Sequence, residues 1–198
     1  MPVYAKVRGD EFPLVIAGGP CAFNPEPLAD FVDLFLIGDG EQALPALVQK
    51  YIECKQNGIT TKEGFLREAC QLEGVYVPRF YDVVYAEDGT IKELCKLYEG
   101  APLPVCRAIL PEIETVDFPV EPVIPIVEAV HDRSVVETFR GCTRGCRFCQ
   151  AGMIYRPVRE RSKDKILQLA EKQLKNTGND ELSLLSLSTS DHSCFEAL

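Results

Sequence analysis

The sequence contains no apolar run approaching the roughly 20 residues that a membrane-spanning helix requires. Its N-terminus, MPVYAKVRGDEFPLV, also lacks the apolar stretch behind a basic start that marks a secretory signal. We therefore expect a cytoplasmic protein with no membrane partner.

Cysteine is abundant, with nine in 198 residues. An odd number without a pairing rhythm, in a chain long enough to bury an ordinary core, argues against a disulfide framework. The scattered ones are Cys21, Cys54, Cys70, Cys95 and Cys106. Three others, Cys142, Cys146 and Cys149, lie close together in RGCTRGCRFCQAG. Clustered thiols of this kind more often bind a metal or perform chemistry.

The net charge of −9 argues against a general nucleic-acid binder. Between Arg140 and Lys165 there are eight Lys or Arg and two acidic residues, so this segment is +6 and the remainder is −15. The cysteine loop therefore lies in the one basic region of an acidic chain. Arg156, Arg159 and Arg161 there form either a solvated or interdomain face or a surface for an anionic substrate or RNA.

The first half of the sequence has an α/β pattern. PLVIAGG and DLFLIGDGE are typical of buried parallel strands ending in glycine turns, and PEPLADF between them predicts a short helix. A helix is predicted from Glu41 to about Gln56, with one buried stripe. The stripe consists of Leu44, Leu47, Val48, Tyr51 and Ile52.

Two further elements are predicted before residue 100. Thr60 and Glu63 have capping-box spacing for a helix through about Leu72, closed by Gly74. FYDVVYAEDGTIKEL predicts a hairpin that turns at Asp88-Gly89.

A connector follows, because six of the fourteen prolines lie between Pro102 and Pro125 and preclude a continuous helix or an interior strand. A flexible linker is the alternative, but its apolar residues favour an ordered segment docked on a surface. These residues are Ile109, Leu110, Val116, Phe118 and Ile124.

After the connector the pattern is β-loop-α-β. A strand is predicted from Ser134 to Phe139, then the cysteine loop, a helix capped by Ser162 and ended before Gly178, and a strand in ELSLLSLSTSD. The helix is expected to bury Ile166, Leu167, Ala170 and Leu174. The cysteine loop thus follows the carboxyl end of a strand, where barrels and open α/β folds place active sites.

The spacing C-x3-C-x2-C, with glycines at 141, 145 and 152, lets three sulfurs converge. Structural zinc requires a fourth ligand, which Cys194 or His192 would have to supply. A 4Fe-4S cluster held by three cysteines instead leaves one iron open to a small molecule. Unliganded cysteines remain a third interpretation.

The cysteine spacing, with Phe148 before the last cysteine, resembles the signature of the radical S-adenosylmethionine (SAM) superfamily. The longer block VVETFRGCTRGCRFCQAGMIYRPVRERS also resembles radical SAM proteins that carry an N-terminal cobalamin-binding-type domain. The resemblance implies that Cys142, Cys146 and Cys149 bind a 4Fe-4S cluster and that the backbone at Phe148 contacts adenine. In the slot of the family's Gly-Gly-Glu element this chain has Ser188, Thr189, Ser190 and Asp191, so Ser188 and Ser190 are the implied SAM contacts.

The implied function is reductive cleavage of SAM to a 5′-deoxyadenosyl radical, with electrons from a reductant such as flavodoxin or ferredoxin. The substrate is unknown, and RNA and protein are both open. A non-catalytic iron–sulfur, zinc-binding or electron-transfer module is the alternative function.

The segment PLVIAGGPCAFNPEPLADFVDLFLIGDGEQALPALV resembles the second half of a cobalamin-binding-type domain. A dinucleotide fingerprint is excluded, since AGGP and GDGE lack the G-x-G-x-x-G spacing. The D-x-H-x-x-G motif of the first half is missing, and His131 and His192 lie outside any such motif. We therefore expect weak or no cobalamin binding, with the glycine turns at 18–19 and 38–40 forming only part of a site.

The predicted fold class is α/β: a partial Rossmann-like, cobalamin-binding-type domain followed by the first β-α-β unit of a radical SAM TIM-like barrel. The expected divisions are 1–58, 59–125 and 126–198. About 65 residues follow from Ser134, whereas such a barrel needs on the order of 200. The chain is thus expected to be a fragment lacking parts of both domains, and to be inactive by itself.

Overall fold

The computed structural model describes residues 1–127 and 130–197. The chain divides into two compact units, Met1–Leu110 and Pro111–Leu198. The boundary falls within the proline-rich connector. The predicted divisions at residues 58 and 125 rest on the resemblance to family domains, and they stay predictions.

The first unit contains a three-stranded sheet in the order β1-β2-β3. Strands β1 (Ile16–Gly18) and β2 (Leu34–Leu36) are parallel, as their apolar runs predict, and β3 (Val75–Tyr76) is antiparallel to β2. Two 3-10 turns, Pro20–Phe23 and Glu26–Leu28, connect β1 to β2 where the sequence predicts a short helix. Prolines at 20, 25 and 27 shorten these turns because each removes a backbone donor.

Two helices follow, α1 (Gly40–Gln56) and α2 (Lys62–Ala69). The predicted cap of α2 is wrong by one residue: Thr61 Oγ1 accepts the Gly64 N–H at 3.2 Å, while Glu63 pairs forward with Arg67 at 3.0 Å. A hairpin of β4 (Tyr81–Tyr85) and β5 (Ile91–Lys96) confirms the predicted turn at Gly89. A further 3-10 turn, Pro78–Phe80, precedes β4, and another, Ala5–Val7, lies near the N-terminus.

The predicted stripe of α1 is largely exposed. Leu47 is 2% exposed, whereas the other four residues are 40% to 51% exposed: Leu44, Val48, Tyr51 and Ile52. A 17-residue helix is about 25 Å long at 1.5 Å per residue. The strands beneath it have two or three residues each, so they cover only a short part of its length.

The core of the first unit draws on both strands and helices. Its buried apolar residues include Leu34, Phe35, Leu47, Leu66, Val75 and Val77. Asp33 is buried beneath them, where it accepts hydrogen bonds from Arg8 at 3.1 Å and from the Val15 N–H at 2.8 Å.

The second unit contains, in chain order, β6 (Ser134–Glu137), β7 (Phe139–Arg140), α3 (Ala151–Ile154), β8 (Arg159–Glu160), α4 (Lys163–Thr177) and β9 (Leu182–Leu185). The parallel pairing of β6 with β9 across α4 agrees with the predicted β-α-β pattern. Strand β7 pairs with β8 in a separate antiparallel ladder. The 3-10 turns Thr189–Asp191 and Phe195–Ala197 follow β9.

Helix α4 is capped as predicted, with Ser162 Oγ accepting the Lys165 N–H and Gly178 in the left-handed conformation at its end. Its buried face is shifted from the predicted one. Ile166, Leu169, Ala170 and Gln173 are buried, whereas Leu167 is 47% exposed. The connector causes the shift, because Phe118 and Val120 pack on this face and Gln173 donates to Pro119 O.

The connector is docked in part. Leu110 is buried in the first unit, and Phe118 packs in the core of the second, but Ile109 and Ile124 are 39% and 45% exposed. Every helix within the described ranges is too short or too polar to cross a membrane.

Candidate functional site

The cysteine loop starts where the predicted strand 134–139 splits in two. At Thr138, which is fully buried, the backbone N–H donates to Leu185 O at 2.9 Å and the carbonyl accepts from the Arg161 N–H at 2.9 Å. The chain therefore leaves the β6–β9 pair and joins β8. The loop emerges from β7 and returns through β8, so both of its ends are fixed.

Gly141, directly before the first cysteine, is required at the base of this loop. Its φ is +91°, and a β-carbon there would lie 2.7 Å from Pro157 O and 2.9 Å from Tyr155 O. Only glycine permits this close approach of the outgoing and returning chain.

The three thiols lie on this loop without converging. Cys146 is exposed, and Cys142 and Cys149 are partly exposed, all as free thiols. Within residues 1–127 and 130–197, no three Cys, His, Asp or Glu side chains are grouped closely enough to hold a metal ion. The donor set nevertheless suits a thiolate-bound cluster, because three cysteines lie on one loop and the Arg144 N–H already donates to Cys142 Sγ at 3.4 Å. Metal binding commonly orders such ligands.

An ion pair joins the cysteine loop to the turn after β9. Arg144 Nε donates to Asp191 Oδ2 at 2.7 Å, and a second guanidinium nitrogen donates to Oδ1, so the pair is bidentate. The Arg144 hydrogen bond lowers the pKa of Asp191, with a smaller contribution from Ser188. Asp191 raises the pKa of Arg144, and the nearby Cys142 and Cys146 add to this shift. We call this ion pair the loop clasp.

The implied SAM contacts lie on both sides of the clasp. Ser188 caps the turn that contains Asp191 and hydrogen-bonds to it, so the clasp brings this segment to the cysteine loop. Ser190 is exposed, and the Phe148 side chain is 92% exposed. Their roles toward SAM stay predictions.

The arginines that follow the cysteines bind the loop itself. Arg156 Nε donates to Gly152 O at 2.9 Å, and Arg159 donates to Pro157 O and Tyr155 O at 3.1 Å. Arg159 and Arg161 are 7% and 1% exposed. A solvated face, one of the alternatives for this arginine cluster, is therefore wrong for these two residues, because loop and connector carbonyls accept hydrogen bonds from their guanidinium groups. The interdomain and anionic-ligand alternatives stay predictions.

Arg161 is the centre of a buried polar network. Its guanidinium donates to Ile113 O and to Glu137 Oε2, the latter at 3.4 Å, and lies 5.5 Å from the Phe118 ring. Glu137 also pairs with Arg140 at 2.8 Å. This network fixes the end of β6 and the base of the loop at once.

His192 is also buried, and it hydrogen-bonds to the backbone of Arg161. Its Nδ1 accepts the Cys194 N–H at 3.1 Å, so Nε2 carries the proton and donates to Arg161 O at 3.0 Å. Both ring nitrogens are thus engaged in structural hydrogen bonds. This arrangement disfavours His192 as a fourth zinc ligand.

The glycine turns of the first unit have a packing role at Gly38. Its φ is +116°, and a β-carbon there would lie 2.7 Å from the Ala108 backbone nitrogen. Gly38 and Ala108 also form an isolated parallel bridge. The connector therefore occupies part of the edge at which a nucleotide tail was expected.

The clasp and the buried network were not found from the sequence. Arg144 and Asp191 are 47 positions apart, and Arg161 and Ile113 are 48 apart. The one signal in the sequence is an acidic residue, Asp191, in the segment that follows the second strand, together with the basic charge of the cysteine loop.

Residues 1–78 match the family model described as radical SAM proteins, N-terminal. This region ends well before the cysteine loop, so the family match and the cysteine motif are separate observations. Together they support a relationship to the radical SAM superfamily.

The chain is also similar to an uncharacterized protein of Methanocaldococcus jannaschii, with 28% identity over 181 residues. The alignment covers 90% of this chain and 32% of the relative. The chain thus spans about a third of the length of the curated relative that it matches.

Proposed function

We propose that this chain carries the cluster-binding loop of a radical SAM protein. Cys142, Cys146 and Cys149 hold a 4Fe-4S cluster, while the backbone at Phe148 and the Ser188 and Ser190 hydroxyls contact SAM. When bound, the cluster supplies the electron that cleaves SAM into methionine and a 5′-deoxyadenosyl radical, with a reductant such as flavodoxin or ferredoxin as the electron source.

The observation that carries the proposal is the position of three free thiols with C-x3-C-x2-C spacing. They lie on a loop that follows β6 and is tied by the clasp to the turn after β9. Strands β6 and β9 are parallel, so both segments follow carboxyl ends on the same sheet edge, where α/β folds bind ligands. The protein's own contribution is to hold the loop, orient SAM and keep water away from it.

Anaerobic reconstitution with iron and sulfide tests the cluster. We expect a brown protein with about four irons per chain, as three thiolates can hold such a cluster. The variant in which Cys142, Cys146 and Cys149 are all replaced by Ala should remain colourless. A matched variant with Cys21→Ala and Cys106→Ala, two exposed cysteines of the first unit, should retain the colour. Stoichiometric zinc without iron uptake would contradict the assignment.

Alkylation by iodoacetamide identifies the ligands without reference to activity. Before reconstitution the exposed Cys146 should react readily, and Cys54 and Cys70 slowly, because burial raises the pKa of both thiols. After reconstitution the three loop cysteines should be protected while Cys21 and Cys106 still react. Equal protection of all exposed cysteines would indicate general aggregation instead.

Addition of SAM distinguishes an enzyme from an electron-transfer module. In the reduced, reconstituted protein, SAM should change the electron paramagnetic resonance spectrum of the cluster, even though we expect this chain by itself to yield little 5′-deoxyadenosine. A reduced cluster whose spectrum is unaffected by SAM would favour the non-catalytic alternative.

Cobalamin binding is a separate part of the proposal. We expect weak or no binding to this chain, since the D-x-H-x-x-G motif is missing from its sequence. Equilibrium dialysis that gave tight, stoichiometric binding would overturn this expectation.

A further inference from the structure

A cavity of about 320 Å³ lies in the first unit between α1, α2 and the segment that leads into β1. It adjoins Ile16, the first residue of β1, and so lies near the opposite end of this strand from the glycine turn at Gly18. The cavity is therefore distinct from the glycine edge considered for cobalamin. Its volume is within the range of small-molecule sites, about 300 to 1,000 Å³.

One wall of the cavity is the apolar stripe of α1 that the sheet leaves uncovered. Leu44, Val48 and Tyr51 all line it and are 48%, 51% and 40% exposed. The Tyr51 ring packs edge-on against Phe65, another lining residue, with 5.1 Å between centroids. An apolar body placed here would remove these side chains from water.

The cavity is also lined by Lys62, a lysine whose side chain is mostly buried. Lys62 is 8% exposed, and its Nζ donates at 3.2 Å to Pro13 O, a carbonyl of another lining residue. Among the described residues, the partner of this Nζ is the Pro13 carbonyl, and no carboxylate pairs with it. The lining residue Asp10 instead accepts the Lys62 backbone N–H at 2.7 Å. A buried charge is costly unless a counter-charge accompanies it.

The mouth of the cavity adds a second cation. Lys55 also lines it, with Nζ 5.3 Å from the centroid of the Tyr51 ring. An anion in this cavity would thus meet the ammonium groups of Lys62 and Lys55 and the carboxylate of Asp10, a net charge of +1. This charge suits a monoanion better than a phosphate dianion.

We propose that this cavity binds a soluble amphipathic carboxylate. Its carboxylate pairs with Lys62, and its apolar chain lies against Leu44, Val48 and Tyr51. The site is independent of the cysteine loop, and ligand binding here requires neither iron nor SAM.

Decanoate, a ten-carbon carboxylate, is a suitable probe for calorimetric titration of the 198-residue chain below its micelle concentration. We expect one site per chain, with decanol and decyltrimethylammonium binding at least tenfold more weakly. Equal affinity for decanoate and decanol would overturn the proposal, because Lys62 would then contribute nothing.

Three variants locate the site. Lys62→Met should weaken decanoate binding at least tenfold, and Val48→Trp should abolish it by filling the cavity. Ile91→Ala, on the exposed hairpin, is the matched control and should bind decanoate normally. If Lys62→Met fails to fold by circular dichroism, Val48→Trp still decides the question, and unchanged decanoate affinity in that variant would refute the site.

Phosphatidylglycerol vesicles distinguish a soluble ligand from a membrane surface. Binding to vesicles without binding to dispersed decanoate would contradict the proposal. Iron uptake should be the same with and without decanoate, so failure here leaves the cysteine loop assignment untouched.

Discussion

The two units of this chain are stabilised in different ways. The first buries a large apolar cluster from β2, β3, α1 and α2, and Asp33 with Arg8 is its main buried polar pair. Among its described residues, the second has a smaller apolar cluster, and it buries Arg161, Thr138 and His192 near the cysteine loop. The buried members of that cluster are Val136, Ile166, Leu169 and Ala170.

Apolar packing is non-directional, whereas hydrogen bonds and ion pairs fix orientation. The first unit therefore relies on burial, whereas the second uses its buried polar groups to position one loop. Both ends of that loop depend on Arg161, through Thr138, Glu137 and His192.

Loss of Arg161 should have the largest effect. Arg161→Ala removes the buried donor to Ile113 O and the contact with the Phe118 ring, while Arg140 still pairs with Glu137. The unpaired carbonyl and the cavity left by this buried side chain should together cost about 3 to 5 kcal/mol. Urea unfolding, with hydrogen exchange as the readout for the second unit, measures this change in the free energy of unfolding. Arg147→Ala, an exposed arginine of the same loop, should change the free energy of unfolding by less than about 0.5 kcal/mol.

Leu66→Ala tests the apolar core of the first unit. Leu66 is fully buried, and such a truncation typically costs about 3 kcal/mol. Hydrogen exchange should show loss of protection in α1, α2 and β2, with iron uptake by the cysteine loop unchanged. Loss of iron uptake in this variant would show that the two units are not stabilised separately.

Tyr81→Phe should make the first unit less sensitive to alkali. Burial raises the pKa of Tyr81 to about 12 from its ordinary value of 10.0, so the folded state retains the proton longer than the unfolded state. Stability from this group is therefore present below pH 10 and lost as the pH rises towards 12.

At pH 7 the Tyr81→Phe variant should lose about 1 kcal/mol, the value of the hydrogen bond to Pro102 O. Above pH 10 the difference from the wild type should shrink. Tyr85→Phe, with its ring 62% exposed, is the control. Parallel unfolding curves at pH 7 and pH 11 would contradict the expected role of Tyr81.

The cap of α4 should make the stability of the second unit fall at acid pH. Ser162 donates its N–H and its hydroxyl to Glu114, at 2.9 and 2.6 Å. Desolvation by itself would raise the pKa of Glu114, but these hydrogen bonds outweigh it and the pKa is lowered. The folded state thus loses stability as the pH falls from the ordinary value of 4.5 through the lowered one.

Ser162→Ala should cost about 1 kcal/mol at pH 7, as for other caps. Glu114→Gln should reduce the acid dependence between pH 5 and pH 3, as judged from urea midpoints (roughly the carboxyl titration range). Acid sensitivity equal to that of the wild type would show that other carboxylates dominate.

The loop clasp should have the smallest effect on stability, because Arg144 is 60% exposed and surface ion pairs are weak. Arg144→Ala should instead loosen the cysteine loop, giving faster trypsin cleavage at Arg147 and faster loss of iron to a chelator after reconstitution. The charge-exchanged pair Arg144→Asp with Asp191→Arg should restore part of the protection. Identical cleavage rates in the wild type and in Arg144→Ala would show that the clasp does not hold the loop.

The strands, the hairpin and α4 were predictable because local patterns specify them. The apolar runs before Gly18 and Gly38 predict parallel strands, and Ser162 and Gly178 predict the ends of α4. The prediction of buried faces fails where burial depends on which distant segment packs against the helix. The stripe of α1 has helical spacing, but spacing does not tell how wide the opposing sheet is.

The candidate site shows the same division. The spacing of Cys142, Cys146 and Cys149 is local, so the sequence by itself places the three thiols on one loop, while their cluster chemistry stays a prediction. The loop clasp, the buried Arg161 and the engaged ring of His192 depend on partners that the chain brings together from 31 to 48 positions away. Only the tertiary structure decides such pairs, because hydrogen bonds require a direction and a distance that no spacing in the sequence encodes.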